Sequence, residues 1–255
     1  MNQQHPISSK QNSHFKRWVS LLDSHGIKRH RLCLVSGNKL RKELGSHSEV
    51  TVHEVLLPPS WSSRDDLPSQ AIHYQLSHSL FQELDVFGTK EPLLVCGVPE
   101  MSHTDLSSPP NGLEVLCPIG DPGNLGALLR CCRAFDVRTV VLLQEAVHPF
   151  HPKVIRASSG AVFVQSLQWA DSITDLATPE TLQWITALDL HGTNMSTVKW
   201  PKHVRLLIGE EGVGVPPFQF SERLCIPQIH PSIPLNATVA GSIALYAYRQ
   251  YHSQA

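Results

Sequence analysis

The feature that most constrains the fold is an alternation of strand-like and helix-like runs over the second half of the chain. Six short runs are apolar along almost their whole length, and helix-like segments separate several of them. Strands of this kind need cover on both faces, which is typical of a parallel sheet between helices. We therefore predict an α/β fold with a mostly parallel sheet. The predicted strands are 113–119, 139–144, 161–167, 184–190, 204–209 and 224–229, and a final helix is predicted over 235–252.

A smaller alternation precedes residue 107 and predicts a small layered α/β domain. The segment SSPPNG, with two prolines before an Asn-Gly turn, is the clearest linker signal. We predict an N-terminal domain over 1–106, a linker over 107–112 and a larger domain over 113–255. Within the first domain, strands are predicted at 31–35, 50–57 and 93–98, and helices at 14–26 (ending at Gly26), 38–45 and 71–84.

Charge is distributed unevenly along the chain. The net charge of −1 argues against a strongly basic nucleic-acid binder, yet the first 45 residues hold nine basic side chains against two acidic ones. This asymmetry favours contact between the N-terminal part and a polyanion. A solvated basic face is the alternative.

Several function classes are excluded by what the sequence lacks. The polar start is unlike a secretory signal, and the longest apolar runs are too short to cross a bilayer. The six cysteines contain no CxxC pair, and HPFHPK (148–153) offers two histidines without a third ligand. The chain also lacks the G-x-S-x-G elbow of serine hydrolases. We expect a soluble cytoplasmic protein without a membrane or metal partner.

The stretch GDPGNLGALLR (120–130) resembles a phosphate-binding loop only at first sight. Its glycines are spaced G-x-x-G-x-x-G, unlike a dinucleotide loop, and no Lys-Ser/Thr pair of a P-loop follows. We predict a helix that begins with Asn124 as its N-cap. Arg130 lies off the apolar stripe of that helix, one turn beyond Gly126, where it could hold a phosphate. A surface arginine is the alternative.

Two later stretches also follow predicted strands. LLIGEEGVGVPP (206–217) predicts a tight loop that brings backbone groups close to a ligand, or else a turn with solvated acids. In IPQIHPSIPLN (226–236), three prolines stiffen the entry to the last helix, and Asn236 is placed to cap it. In parallel sheets, ligands bind outside the carboxyl ends of the strands, which is where both stretches are predicted to lie.

Taken in order, these motifs resemble the SpoU/TrmH family of RNA ribose 2′-O-methyltransferases. The motifs are N-x-G-x-x-x-R from Asn124, R-A-S-x-G from Arg156, G-x-E-G-x-G from Gly209 and L-N-x-x-x-A from Leu235. The resemblance covers about residues 113–250. The N-terminal part resembles, more weakly, the small α/β/α substrate domain that often precedes it.

The resemblance implies a SPOUT-class trefoil knot at the C-terminal end, S-adenosyl-L-methionine as cofactor and a homodimer with sites completed across the interface. It also implies an rRNA or tRNA substrate. The implied catalytic residues are Asn124, Arg130, Glu211 and Asn236. The implied cofactor-binding residues are Ile208, Gly209, Glu210, Gly212, Gly214, Gln228, Ile229, His230, Leu235, Asn236 and Ala240, and the implied RNA-binding residues are Lys39, Arg41, Lys42, Arg133 and Arg156.

Arg130 would be the central catalytic residue of such an enzyme. An arginine side chain stays protonated and is a poor general base. We therefore assign Arg130 to gripping a phosphate and stabilising the developing alkoxide. A neutral Arg130 acting as the base is the alternative.

Two positions depart from the family pattern. The family usually has Asn where this chain has Glu210, and Ser where it has Pro234. Proline removes a hydroxyl and a backbone donor. An active methyltransferase is the favoured interpretation, because Asn124, Arg130 and Asn236 remain. A non-catalytic RNA-binding protein with the same fold is the alternative, and an unrelated nucleotide-dependent α/β enzyme is disfavoured by the missing fingerprints.

Overall fold

The computed structural model describes residues 4–38, 40, 50–59, 61, 67–209, 212–230 and 232–253. No helix in these ranges is long and apolar enough to cross a membrane. The described elements, in chain order, are β1 (Gln4–Ile7), α1 (Ser13–Ser20), α2 (Ser24–His30), β2 (Leu32–Val35), β3 (Val52–Leu57), β4 (Ile72–Leu76), α3 (His78–Leu84), β5 (Leu93–Gly97), β6 (Leu113–Cys117), α4 (Pro122–Ala134), β7 (Thr139–Leu142), α5 (Pro152–Ala157), a 3₁₀ turn (Ala161–Phe163), β8 (Leu167–Trp169), α6 (Pro179–Leu182), β9 (Ile185–Asn194), β10 (Val204–Leu207), β11 (Glu222–Cys225) and α7 (Ala237–Ser253).

The chain divides into two compact units. The first comprises the described residues of Met1–Glu100 together with Phe150–Phe163, and the second those of Met101–Pro149 and Val164–Ala255. The predicted linker, 107–112, therefore lies within the second unit. The assignment of an RNA-binding domain and a methyltransferase domain stays a prediction.

The first unit is built on a mixed sheet. Within its described residues, five strands are ordered β1-β4-β3-β5-β2, with β5 antiparallel to both of its neighbours and the other pairs parallel. Phe15 and Trp18 of α1 join Leu80 and Leu84 of α3 in a buried core with the sheet. The strands predicted at 31–35, 50–57 and 93–98 are confirmed, whereas the helix predicted at 38–45 lies almost wholly outside the described residues.

Two helices predicted in the first unit are wrong in extent. The helix predicted over 14–26 is two helices, α1 and α2, and Gly26 lies inside the second, where its N–H donates to Asp23 Oδ1 at 2.9 Å. A side chain at position 26 would collide with the Ser20 carbonyl oxygen, so glycine permits the close approach of the two helices. The segment 71–84 is β4 followed by α3, and Ile72 is half exposed rather than part of a buried helical stripe.

The second unit contains the predicted parallel sheet. Its described residues form six strands in the order β11-β9-β10-β6-β7-β8, and every pairing is parallel. The strand predicted over 161–167 is wrong: a 3₁₀ turn occupies its start, and β8 begins only at Leu167. The strand predicted over 224–229 ends at Cys225, two residues before Pro227, which lacks the N–H that a continued strand needs.

The strand order places a topological switch between β6 and β10. The chain leaves β6 toward β7 and β8 on one side, whereas β9, β10 and β11 fill the other side. Such a switch opens a crevice at the carboxyl ends of the strands, where open α/β sheets bind ligands. Helix α4 follows β6 at this point and packs against α7. Gly241 of α7 lies close to both α4 and the end of β10, because a Cβ there would lie 3.1 Å from Leu128 Cδ1 and 2.7 Å from Ile208 Cδ1.

Candidate functional site

A cavity of about 660 Å³ lies at this end of the second unit. Its walls come from the part of β9 that runs beyond its pairing with β10, from the segments that follow β10 and β11, and from the start of α7. The lining residues are Leu188, Asp189, Leu190, Ile208, Gly209, Gly212, Val213, Gly214, Val215, Ile226, Gln228, Pro234, Leu235, Asn236, Ala237 and Ala240.

Most residues predicted to bind the cofactor meet in this cavity. Ile229 and His230 do not line it, and Ile229 is 91% exposed. Glu210 lies outside the described residues. The predicted residues that do line the cavity are Ile208, Gly209, Gly212, Gly214, Gln228, Leu235, Asn236 and Ala240.

The glycines after β10 shape one wall of the cavity. Gly212 and Gly214 have φ values of 83° and 78°, in the left-handed region that favours glycine. A Cβ on Gly209 would lie 3.2 Å from the carbonyl carbon of Gly214, so the loop folds back closely on itself. These glycines therefore contribute only backbone to the wall, and the approach of that backbone to a ligand stays a prediction.

Sequence reasoning missed the wall formed by Leu188, Asp189 and Leu190. The pairing between β9 and β11 jumps here: Ala187 lies opposite Arg223, whereas Thr193 lies opposite Leu224. The intervening residues, 188–192, bulge from the ladder. The available signal was Asp189, a charged residue at the carboxyl end of the strand predicted over 184–190.

Asn124 is not the cap of α4, contrary to the prediction. The helix begins at Pro122, and Asp121 caps it by accepting a hydrogen bond from the Asn124 N–H at 2.8 Å. The Asp-Pro pair carries this signal, since Asp favours the N-cap and Pro the first helical position. The Asn124 side chain instead meets α7: its Oδ1 accepts from Asn236 Nδ2 at 3.3 Å.

Asn236 does cap α7, as predicted. Its Oδ1 accepts hydrogen bonds from the N–H groups of Thr238 and Val239, at 3.0 and 3.2 Å. The Thr238 hydroxyl donates to the Asn124 carbonyl oxygen at 2.9 Å and joins the two helices a second time. Asn236 thus caps a helix, lines the cavity and contacts Asn124.

Arg130 is exposed on α4 and does not line the cavity. It lies about 9 Å along the helix axis from Asn124, at 1.5 Å per residue. Glu211 lies outside the described residues. The structure therefore brings together Asn124 and Asn236 from the four predicted catalytic residues.

A comparison with protein families matches residues 114–246 to the SpoU rRNA Methylase family. This chain belongs to that family. The matched region of this SpoU protein begins in β6, ends within α7 and includes every residue that lines the cavity.

Curated relatives of this SpoU chain are also RNA methyltransferases by name. The ribosomal RNA small subunit methyltransferase G 2 of Syntrophobacter fumaroxidans is 36% identical over 97% of the chain, which spans 50% of that protein's length. The 23S rRNA (guanosine(2553)-2′-O)-methyltransferase RlmP of Bacillus subtilis is 26% identical, over 95% of this chain and 98% of its own.

Solved structures share the fold of this SpoU chain. An AdoMet-bound rRNA methyltransferase from Sinorhizobium meliloti matches 97% of the chain with a TM-score of 0.79 and 20% identity, over 98% of its own length. The SpoU methyltransferase AviRb from Streptomyces viridochromogenes, in complex with AdoMet, matches 96% with a TM-score of 0.78 and 20% identity, over its full length.

The residues predicted to bind RNA are only partly described in this SpoU chain. Arg133 is exposed in the last turn of α4. Arg156 is exposed on α5, in the first unit, with its guanidinium carbon 4.5 Å from the centre of the Phe87 ring. Lys39, Arg41 and Lys42 lie outside the described residues. Among described side chains, no group of three or more potential ligands could hold a metal ion.

Proposed function

We propose that this chain transfers a methyl group from S-adenosyl-L-methionine to a ribose 2′-hydroxyl of rRNA or tRNA, with S-adenosyl-L-homocysteine as the leaving group and release of the hydroxyl proton to solvent. The observation that carries the proposal is the cavity at the carboxyl ends of the parallel strands, lined by two of the family's motifs. Relatives support the choice of reaction and donor, since RlmP is named as a 2′-O-methyltransferase and two structural neighbours contain AdoMet.

The cavity suits a nucleoside cofactor. Its volume of about 660 Å³ falls within the range of about 300–1,000 Å³ typical of small-molecule sites. Leu188, Ile208 and Leu235 offer an apolar surface, and Gln228 and Asn236 offer polar groups. The glycine loop brings backbone N–H and C=O groups to the wall. When bound, the cofactor supplies an activated methyl group on a sulfonium.

We assign positioning of the reacting ribose to polar residues of the family motifs. Arg130 grips the neighbouring phosphate and stabilises charge that develops on the 2′-oxygen. Asn124 and Asn236 hold α4 and α7 in register beside the cavity. Glu211 is proposed as a further catalytic residue from its position in the family motif.

A homodimer would bring a second α4 to each cavity. Val239, Ile243 and Tyr246 follow one another at helical spacing on α7 and are 47, 37 and 54% exposed. An exposed apolar stripe of this kind marks an interaction surface. We propose that a second copy covers this stripe, so that Arg130 of one subunit serves the cavity of the other. We also propose that the C-terminal end of the chain forms the trefoil knot that the family resemblance implies.

The N-terminal part is proposed to bind the RNA. Lys28, Arg29 and Arg31 are exposed at the end of α2 and beyond it, within the most basic part of the sequence. Phosphate contacts of this kind predict RNA affinity that falls steeply with salt. A protein that acts on rRNA or tRNA is proposed to work in the cytoplasm.

Pro234 supports a second candidate function, RNA binding without methyl transfer. This proline lines the cavity at the position where the family usually has a serine. We favour the active enzyme because Asn124, Arg130 and Asn236 are all present.

The test combines titration calorimetry with a transfer assay. The protein is titrated with S-adenosyl-L-methionine and then incubated with rRNA and tRNA, and 2′-O-methyl nucleotides are mapped by mass spectrometry. Cofactor binding and a new 2′-O-methyl site are expected. Absence of cofactor binding at millimolar S-adenosyl-L-methionine would refute the proposed methyltransferase activity. Cofactor binding and salt-sensitive RNA binding without transfer would favour the non-catalytic function.

A further inference from the structure

An ion pair between two residues outside the family motifs borders the cavity. Arg223 Nη1, on β11, donates to Asp189 Oδ2, in the bulge of β9 that lines the cavity. Asp189 Oδ1 accepts from the His191 N–H at 3.3 Å. Both carboxylate oxygens are thus engaged within the wall.

The other end of the Arg223 guanidinium holds the chain that follows the glycine loop. Its Nη2 donates to the carbonyl oxygens of Pro216 and Phe218, at 2.8 and 2.9 Å. Its central carbon lies 5.0 Å from the centre of the Phe220 ring. One planar group therefore joins the bulge of β9 to the segment directly after Val215, the last lining residue of the loop.

The contact between bulge and β11 leaves little room for adjustment. A Cβ on Gly192, at the end of the bulge, would lie 2.6 Å from the Arg223 carbonyl oxygen. The Asp189 and Arg223 side chains are only 20 and 26% exposed. Backbone and side chains are therefore both confined where the bulge meets Arg223.

We propose that Asp189 and Arg223 are positioning residues that fix the separation of two cavity walls, the bulge at 188–190 and the loop at 212–215. The inference rests on the proposed function, since the cofactor is the ligand whose affinity depends on that separation. Arg223 neutralises Asp189, so the pair acts through shape rather than by attracting the sulfonium. Only arginine offers a planar fork that reaches a carboxylate and two carbonyls together.

The chain supplies a matched control at the opposite ends of the strands. Arg205 Nε donates to Glu114 Oε2 at 2.8 Å, and its Nη1 donates to the carbonyl oxygens of Leu106 and Ser108, at 2.9 and 3.2 Å. This pair has the same chemistry, arginine with one carboxylate and two carbonyls. It lies near the amino ends of β6 and β10, away from the cavity.

The experiment measures affinities for S-adenosyl-L-methionine and S-adenosyl-L-homocysteine by calorimetry, together with thermal unfolding. The variants are Asp189→Asn, Arg223→Lys, the two combined, and Glu114→Gln. We expect Asp189→Asn and Arg223→Lys each to lower the affinity for both ligands by about tenfold. The double variant should lose no more affinity than the more strongly affected single variant, because both changes break the same contact. Glu114→Gln should lower the unfolding temperature and leave both affinities unchanged.

Three results would overturn the inference while wild-type protein binds the cofactor. They are wild-type affinity in Arg223→Lys, an equal loss of affinity in Glu114→Gln, and a loss confined to S-adenosyl-L-methionine, which would indicate direct contact with its positive charge. Arg223→Lys keeps the positive charge, and its ligand affinity alone decides the outcome if Asp189→Asn does not fold. Wild-type protein that binds neither ligand would refute the proposed function itself and the inference with it.

Discussion

The Asn236 side chain uses both ends of its amide, because Nδ2 donates to Asn124 Oδ1 at 3.3 Å while Oδ1 caps α7. One residue therefore caps α7 and, together with Thr238, connects it to α4. The cap and the contact between helices can be separated, since they use different atoms.

Asn236→Asp should keep the cap of α7 and remove the contact with Asn124. Aspartate keeps the cap acceptor at a helix N-terminus, where negative charge is favourable, but it lacks the amide donor to Asn124. We expect wild-type stability and reduced methyl transfer. Asn236→Ala should also lose about 1 kcal/mol of unfolding free energy in urea titrations. Equal destabilisation by both variants would contradict the division of labour.

Arg130→Lys should reduce methyl transfer by about a hundredfold, the usual cost of removing a donor that stabilises developing negative charge. Lysine keeps the charge and loses the bidentate fork. The pH–rate profile should keep its shape, because we assign no proton transfer to Arg130. Arg138→Lys, at an exposed arginine beyond the end of α4 to which we assign no role, is the control. Substantial retained activity in Arg130→Lys would exclude a need for the fork.

Ile243→Asp should prevent dimerisation by placing a charge in the exposed stripe of α7. Sedimentation at matched concentrations should show monomers for this variant and dimers for the wild type. Ile72→Asp is the matched control, because Ile72 is 49% exposed on β4, in the other unit. A monomeric wild type, or a dimeric Ile243→Asp, would contradict the proposed interface.

Helix α5 should loosen in mild acid. His151 Nδ1 accepts the Lys153 N–H at 3.2 Å, and burial, assisted by the Lys153 charge, lowers the His151 pKa. Neutral His151 therefore contributes fully to the free energy of unfolding above its pKa in the unfolded chain, about 6.5. This contribution is lost as the pH falls through its lower pKa in the folded protein. Hydrogen exchange should show less protection over 153–157 at pH 5 than at pH 7. His151→Asn, which caps without titrating, should remove the difference.

The buried thiols should make the protein sensitive to alkali. Burial raises the pKa of Cys96 and of Cys117 to about 12, and also raises those of Cys33 and Cys132. The protonated thiols contribute fully to the free energy of unfolding below the thiol pKa of the unfolded chain, about 8.5. This contribution declines as the pH rises toward the higher thiol pKa values of the folded protein. Urea titrations should therefore give lower stability at pH 10 than at pH 8.

At neutral pH a thiol reagent should modify Cys131 and Cys225, which are partly exposed, before the other four cysteines.

The sequence predicts what depends on local pattern and leaves out what depends on distant partners. The parallel sheet follows from uniformly apolar strands, and the cap at Asn236 follows from an asparagine before an apolar helix. Asn124 also looks like a cap, but Asp121 and Pro122 start the helix earlier. The spacing of Ile72 and Leu76 fits a helix, yet pairing with β3 makes this segment a strand.

The bulge of β9 lies beyond prediction for a similar reason. It exists because β11 resumes its pairing at Thr193. Asp189 and Gly192 interrupt the apolar pattern here, but the size of the jump cannot be predicted locally, because it depends on a strand more than thirty residues later.

Residues 150–163 belong to the first unit although the chain on both sides of them belongs to the second. The chain therefore passes between the two units three times, and one proteolytic cut in the predicted linker at 107–112 leaves residues 150–163 covalently joined to the second unit but cut off from the rest of the first. A fragment that begins at residue 113 would also carry Val154 and Ile155 without the strand β2 on which α5 packs. End-to-end addition or removal of the N-terminal part would therefore also change the surroundings of Val154 and Ile155.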